Sequence, residues 1–454
     1  MTSSGFKRWR APIALVAIAG QLGFTALPAY AFCGFYVAQA DAKLFNKASR
    51  VVLAWDDGKA SVTMASDYEG DPRQFAVVIP VPTFIERKQI GIVETAVIDH
   101  LDSYSAPRLV EYRDPDPCAR TVVTTRSMRM SAAVPAPAAA APERARRKVV
   151  VEASYEVGEY DIQILSAEES DALGDYLTDN GYRIPEGADA VLASYIKQGM
   201  HFFVAKVNLD RMALEGGHFI RPLQVRYETK KFMLPIRLGT LNAEGPQDLV
   251  IYALTRRGRV ETTNYRTVKM PADVEIPLFV KDTFGAFYKA TFERQVARAD
   301  GRAVFLEYAW NMGWCDPCAA APLAVDELHS LGARWLDPDV PRGGAREAFV
   351  TRLHVRYDRD HFPEDLQLQE TRDTSNFQGR YVLRHPWGGA ADCKAGDAYW
   401  RSLPARFEQE ADTLADLTGW QVAEIHDKME ASGQSFDSKT RGIGPFLKRL
   451  FRAD

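Results

Sequence analysis

Apolar and polar positions alternate along much of the chain, while the 3.6-residue period of a helix is confined to a few stretches. Arg50 to Trp55 and Ala60 to Tyr68 read as strands. Asp56-Asp57-Gly58-Lys59 between them is a hairpin turn, because Gly58 tolerates the positive φ such turns require. Gln74 to Ile79 predicts a third strand, stopped by Pro80-Val81-Pro82. Val93, Val97, Leu101 and Tyr104 recur at helical spacing, which predicts a helix over Ile90 to Tyr104. Ser131 to Pro142 is nearly all Ala, Pro and Val, and Glu143 to Lys148 is mostly charged. Neither can bury enough surface to order itself, so 131–148 reads as a linker.

Beyond the linker, Val149 to Val157 and Tyr160 to Leu165 are strand-like. Ser166-Ala167-Glu168-Glu169 has the form of a capping box opening a helix that runs to Asn180 and stops at Gly181. A second helix spans about Ala188 to Gln198. Strands follow at His201 to Asn208, Leu223 to Thr229, Asp248 to Thr255 and Val260 to Met270. Lys281 to Ala297 is helical in pattern, and Ala303 to Trp310 is a buried strand. Ala348 to Tyr357, Leu366 to Thr371 and Arg380 to Arg384 are strands before a helical tail over roughly Pro404 to Ala431. The expected architecture is α+β: mostly antiparallel β-sheets with a few covering helices, in two or three modules at 32–130, 149–345 and 346–454.

The first 31 residues change the picture. Lys7, Arg8 and Arg10 precede an uncharged apolar run, and Ala29-Tyr30-Ala31 supplies the small residues that signal peptidase reads. A cleaved signal ending at Ala31 is expected, with a periplasmic or secreted mature protein. Pro12, Gln21 and Pro28 interrupt the run, which argues against a membrane anchor, and no later segment is apolar enough to span. Three of the 56 basic residues and none of the 60 acidic ones fall in the signal, so the mature chain carries a net charge of −7. That balance disfavours nucleic acid as a partner.

All five cysteines, Cys33, Cys118, Cys315, Cys318 and Cys393, lie in the mature part, where an oxidising compartment permits disulfides. Spacing alone does not fix the pairing; the first expectation is Cys315–Cys318 with Cys33–Cys118, leaving one thiol over. Trp314-Cys315-Asp316-Pro317-Cys318 is the sharpest local feature. It suits a structural disulfide, a redox pair or half of a zinc site. It also resembles the Trp-Cys-Gly-Pro-Cys site of thioredoxin-like oxidoreductases, which implies Cys315 as nucleophile and Cys318 as resolving thiol. Asp316 stands where that family has Gly. Pro322 suits the first turn of a helix running through Val325, Leu328 and Leu331 to Gly332.

Other candidates are a metal site at His354 and His361 with Asp358 and Asp360, a stiff turn at Asp114-Pro115-Asp116-Pro117-Cys118, and a pocket lined by Trp310, Trp314 and Trp387. No nucleophile elbow, zinc-protease helix, phosphate loop or dinucleotide fingerprint occurs.

Several phrases act together: Phe32-Cys33-Gly34-Phe35-Tyr36-Val37, Phe75 to Pro82, Ser105-Ala106-Pro107-Arg108, Tyr160-Asp161, Asn180-Gly181-Tyr182 and Tyr308 to Pro322. Over about residues 32 to 390 the chain resembles the secreted bacterial family called domain of unknown function 2330. The resemblance implies export and a shared fold, and brings no activity with it. The expected function is therefore a non-catalytic cell-envelope protein, binding or structural, whose partner is another envelope protein or a cell-surface polymer. No cofactor is implied. The alternatives are a thiol–disulfide oxidoreductase using Cys315 and Cys318, and a metal-dependent hydrolase.

Overall fold

The computed structural model describes residues 29–30, 35–39, 45–69, 75–119, 150–168, 170–180, 182–183, 185, 187–208, 210–211, 220–242, 245–313, 321–337 and 347–436. Residues 1–28 of the expected signal, the 131–148 linker, Cys33, Trp314, Cys315 and Cys318 lie outside them. The fold is α+β, with, among the described residues, four sheets whose pairings are mostly antiparallel and seven α-helices.

A ten-stranded central sheet organises the molecule. Its main path runs through Arg266–Lys269, Ala303–Asn311, Phe349–Tyr357, Gln247–Thr255, Phe45–Asp56, Lys59–Glu69, Leu223–Glu228 and Ile90–Ile92. These strands come from all three stretches into which the sequence divides at its linker and at residue 345, so the sheet closes over chain segments far apart in sequence. Gln247–Thr255 lies parallel to Phe45–Asp56 and antiparallel to Phe349–Tyr357. The hairpin joining Phe45–Asp56 to Lys59–Glu69 turns where expected, with Asp57 at φ 43° and Gly58 at φ 88°. The two-residue strand Ala29–Tyr30 pairs with Gln247 and Asp248. It lies on the amino-terminal side of the expected cut, and among the described residues no other strand pairs with it.

Both faces of this sheet are covered, which explains its long apolar runs. Val51, Leu53, Val62, Met64, Leu353 and Val355 point to one side. There they meet Ile79, Ile162, Ile164 and Phe203 of the six-stranded sheet, ordered Tyr182–Arg183, Phe35–Gln39, Phe75–Val81, His201–Val207, Tyr160–Ser166 and Val150–Val157. Each fully buried Leu or Phe here contributes about 2 kcal/mol. The far face of the six-stranded sheet packs Val78, Leu165, Phe202 and Val204 against Leu173, Leu177, Leu192 and Tyr195 of the helices Ser170–Asp179 and Ala188–Lys197.

The other face of the central sheet, through Val52, Ala54, Leu254, Tyr308 and Val350, packs against the helices Thr95–Ser105 and Val325–Ser330. The helix Phe284–Arg298 covers its Phe305 end. The result is a helix–sheet–sheet–helix stack.

Three expectations are corrected. Ile90–Ile92 is a strand beside Leu223–Val225, so the helix expected over Ile90 to Tyr104 begins only at Thr95. Val260 to Met270 is two short strands in different sheets, Val260–Thr262 and Arg266–Lys269. The carboxy-terminal tail is two helices, Lys394–Thr418 and Val422–Ala431, and the first carries Pro404 in its interior, where the ring denies the Trp400 carbonyl a backbone donor. These helices cover a small sheet of Val274–Glu275, Arg380–His385 and Arg108–Arg113.

Candidate functional site

The strand Phe349–Tyr357 carries Arg352, His354 and Arg356 on one face and Leu353, Val355 and Tyr357 on the other. The three basic residues lie on the helix-covered face, so they are sunk beneath the helices Thr95–Ser105 and Phe284–Arg298. Glu307, fully buried, answers them from the neighbouring strand. The register there shifts between Leu306 and Tyr308, and Glu307 is the extra residue of that bulge. A bulge re-aims the side chain it carries, and this carboxylate reaches across the strand pair. Its Oε2 accepts Arg352 Nε at 2.6 Å. Its Oε1 accepts His354 Nδ1 at 2.8 Å and the Tyr288 hydroxyl.

The network continues on both sides. Arg352 Nη1 donates to Asp102 Oδ1 at 2.6 Å, and the hydroxyl of Tyr252, the cross-strand partner of Arg352, donates to the same oxygen at 2.5 Å. One turn earlier on that helix, Asp99 accepts Arg50 Nη1 at 2.6 Å. At the other end Arg356 makes a fork with Asp248 at 2.8 and 2.7 Å, and the Phe292 ring stacks on His354 at 3.7 Å.

Electrostatics fix the protonation of this lattice. Burial alone would raise the Glu307 carboxyl, but His354 and Arg352, with the hydrogen bonds from His354 and Tyr288, hold it at about 2. Burial pushes the phenols of Tyr252 and Tyr288 far above their ordinary range, with Asp102 and Glu307 adding to it. Glu307 thus stays an anion and the tyrosines stay neutral donors across all ordinary pH. A general acid or base needs a group poised near neutrality, and these are not. What the arrangement does is lock two strands, two helices and their register together.

His354 and His361 belong to separate networks. His361 Nδ1 bonds Asp358 within its own turn, at 2.7 Å to Oδ2. Among the described residues no group of three or more His, Cys, Asp or Glu side chains could hold a metal ion. Trp310 packs in the apolar face under the helices, whereas Trp387 sits where its backbone N–H donates to Tyr399.

Cys118 is bonded to Cys393, with Cα atoms 6.1 Å apart. This corrects the expected Cys33–Cys118 pairing, since a sulfur takes one partner. The cause is the parallel pairing of Arg108–Arg113 with Arg380–His385, which runs the segments after both strands side by side. Asp114 N–H donates to the His385 carbonyl at 2.9 Å, and the Asp114 carboxylate receives Tyr399 and Arg406, each at 2.6 Å. Sequence spacing held no sign of the contact, because the two cysteines stand 275 residues apart. Cys393 also caps the helix Lys394–Thr418, its Sγ accepting Gly396 N at 3.2 Å.

A family model described as an uncharacterised protein conserved in bacteria, domain of unknown function 2330, matches residues 27–369. The chain belongs to this family. No curated protein and no solved structure matches it. The matched region holds the whole Glu307 lattice and ends before Arg380–His385; the carboxy-terminal helices join the family region through that strand pair, the disulfide and apolar packing on Ile276, Val280 and Phe287. No helix among the described residues is long and apolar enough to cross a membrane.

Proposed function

We propose that the protein is exported, loses its first 31 residues, and works in the cell envelope as a non-catalytic protein that binds another envelope protein or a cell-surface polymer. The observation that carries this is the Cys118–Cys393 bond. Disulfides joining distant parts of a chain belong to oxidising compartments, and the amino-terminal pattern is the address for one. The saturated Glu307 lattice supports the non-catalytic part, since its charges are committed to one another. Osmotic-shock fractionation with mass spectrometry tests the proposal. It expects a mature amino terminus at Phe32 and a linked peptide pair containing Cys118 and Cys393. Cytosolic protein beginning at Met1 with reduced sulfurs overturns it.

A second reading is favoured by one observation. With Cys118 and Cys393 joined, the Cys315-Asp316-Pro317-Cys318 pair keeps the spacing of a thiol–disulfide oxidoreductase. A reduction potential for that pair below about −300 mV marks a structural bond; one near the oxidoreductase range marks redox work.

A further inference from the structure

We propose that Arg226, His329 and Arg334 form a binding site for a phosphate- or sulfate-type oxyanion. Arg226 lies on the strand Leu223–Glu228, on the same face as Gln224, and Arg334 lies on the turn after the helix Val325–Ser330. The fold clamps that turn onto that strand. Gln224 Nε2 donates to the Ser330 carbonyl at 2.8 Å and to Thr63 Oγ1 at 2.8 Å. Leu331 and Ala333 are fully buried. Gly332 sits at φ 104°, so close to Ser61 that a Cβ there would lie 2.3 Å from the Ser61 Cβ. Arg334 is therefore presented beside Arg226 by rigid parts.

Arg334 Nη1 lies 3.3 Å from His329 Nδ1. Arg226 is held on its other side by a hydrogen bond to the Lys88 carbonyl, and Gln89 Nε2 ties the same turn back to the Arg226 carbonyl at 2.8 Å. Among the described residues, no carboxylate stands within ion-pair distance of Arg226 or Arg334. Glu86 of the adjacent turn is committed to Lys88 at 2.7 Å. Arg226 is half-buried and Arg334 exposed, whereas elsewhere on this face arginines are matched: the half-buried Arg50 by Asp99, the buried Arg352 by Asp102 and Glu307, and the half-buried Arg356 by Asp248.

Arg226 and Arg334 carry like charges, while the His329 ring accepts a hydrogen bond from Arg334 Nη1. Burial and the nearby Arg334 push Arg226 below its usual value, and burial with Arg334 and Arg226 pushes His329 down as well. Like charges brought together without a counter-charge are destabilising unless an anion joins them. Two guanidinium groups with an imidazole supply the forked and single N–H donors that a tetrahedral oxyanion takes. The site does not depend on whether the chain is exported.

Calorimetric titration of the full chain with inorganic phosphate, and separately with a polyphosphate chain, tests this. Arg226→Gln and Arg334→Gln are each expected to weaken binding at least about tenfold, the worth of one charge-assisted bond. Arg266→Gln, at the opposite edge of the central sheet, leaves it unchanged. In the absence of phosphate, Arg334→Gln melts close to the parent, because relief of its repulsion with Arg226 offsets the lost bond to His329. Phosphate raises the His329 titration point in the parent and not in Arg334→Gln. Tighter binding per phosphate of the polymer assigns the site to polymer-borne groups, and equal binding assigns it to the free ion. If neither probe binds, or both bind equally to the parent and to the two variants, the site does not exist.

Discussion

Glu307 and Arg352 face each other across neighbouring strands, Oε2 to Nε at 2.6 Å, and both are buried. The pair forms because a bulge places Glu307 opposite the helix-covered row of the next strand. Buried pairs of this kind contribute little net stability over an apolar pair, but breaking one leaves a stranded charge.

Glu307→Gln is expected to lower the unfolding free energy by about 3 kcal/mol at neutral pH. The pH dependence follows from the carboxyl standing at about 2 in the folded protein, against an ordinary 4.5. The unfolded chain takes up the proton first. Stability from this group is therefore complete above pH 4.5 and is lost as pH falls towards 2. Urea titrations from pH 6 to 2 should show a shallower acid limb in Glu307→Gln. An identical limb in both proteins would mean that the lattice does not hold Glu307 ionised.

Cutting the Cys118–Cys393 bond frees a loop of 275 residues of sequence separation in the unfolded chain. Cys118→Ser or Cys393→Ser is expected to cost about 2–5 kcal/mol. Loss should be felt first by the carboxy-terminal helices, which are held to the rest of the fold by the bond, one strand pair and packing on the helix Phe284–Arg298. Hydrogen exchange comparing Lys394–Thr418 with the central sheet reads this directly. Uniform loss of protection over both would contradict it.

Local chemistry was legible in the sequence; long-range chemistry was not. The Asp56–Lys59 hairpin declares itself because its turn needs only Gly58. The α+β class and the family phrases are likewise local patterns. The Glu307 lattice was invisible because Arg352, His354 and Arg356 alternate with Leu353, Val355 and Tyr357 as a half-exposed strand does. Only the covering helices make that row interior. The Ile90 to Tyr104 apolar spacing served both a strand and a helix, and pairing with Leu223–Val225 decided where one ends. The Cys118–Cys393 contact depends on a parallel strand pair between residues 108–113 and 380–385, for which neither segment carries a signal.

Gly332→Ala combines two costs. The backbone angle of 104° disfavours any Cβ, and the added atom would meet Ser61 Cβ at 2.3 Å and Oγ at 2.4 Å. A loss of about 2–3 kcal/mol is expected. Ser61→Gly in the same chain removes the two closest contacts and leaves the backbone strain and Ala54 Cβ at 3.1 Å, so the double variant should recover part of it. Thermal melts of the three proteins give the comparison, and no recovery would show that the turn had moved away from the strand.

Glu410 reverses the sign of the Glu307 argument. It is buried on the helix Lys394–Thr418, where Gln434 Nε2 donates to its Oε2 at 2.7 Å and Gln434 Oε1 accepts Leu278 N at 2.9 Å. Burial, with Glu275 and Asp114 adding repulsion, raises its carboxyl to about 7 against the pull of Gln434 and Arg406. The folded chain therefore holds this proton more tightly than the unfolded one. Stability from this group is full below pH 4.5 and falls as pH rises through 7, by about 3 kcal/mol in total. Glu410→Gln keeps the shape without the charge, so it should match the parent near pH 4 and exceed it at pH 8. Because Glu307 acts on the acid limb and Glu410 on the neutral one, a single series of urea titrations separates them. A parent whose stability does not decline between pH 5 and 8 relative to Glu410→Gln would show that the carboxyl is solvated in solution.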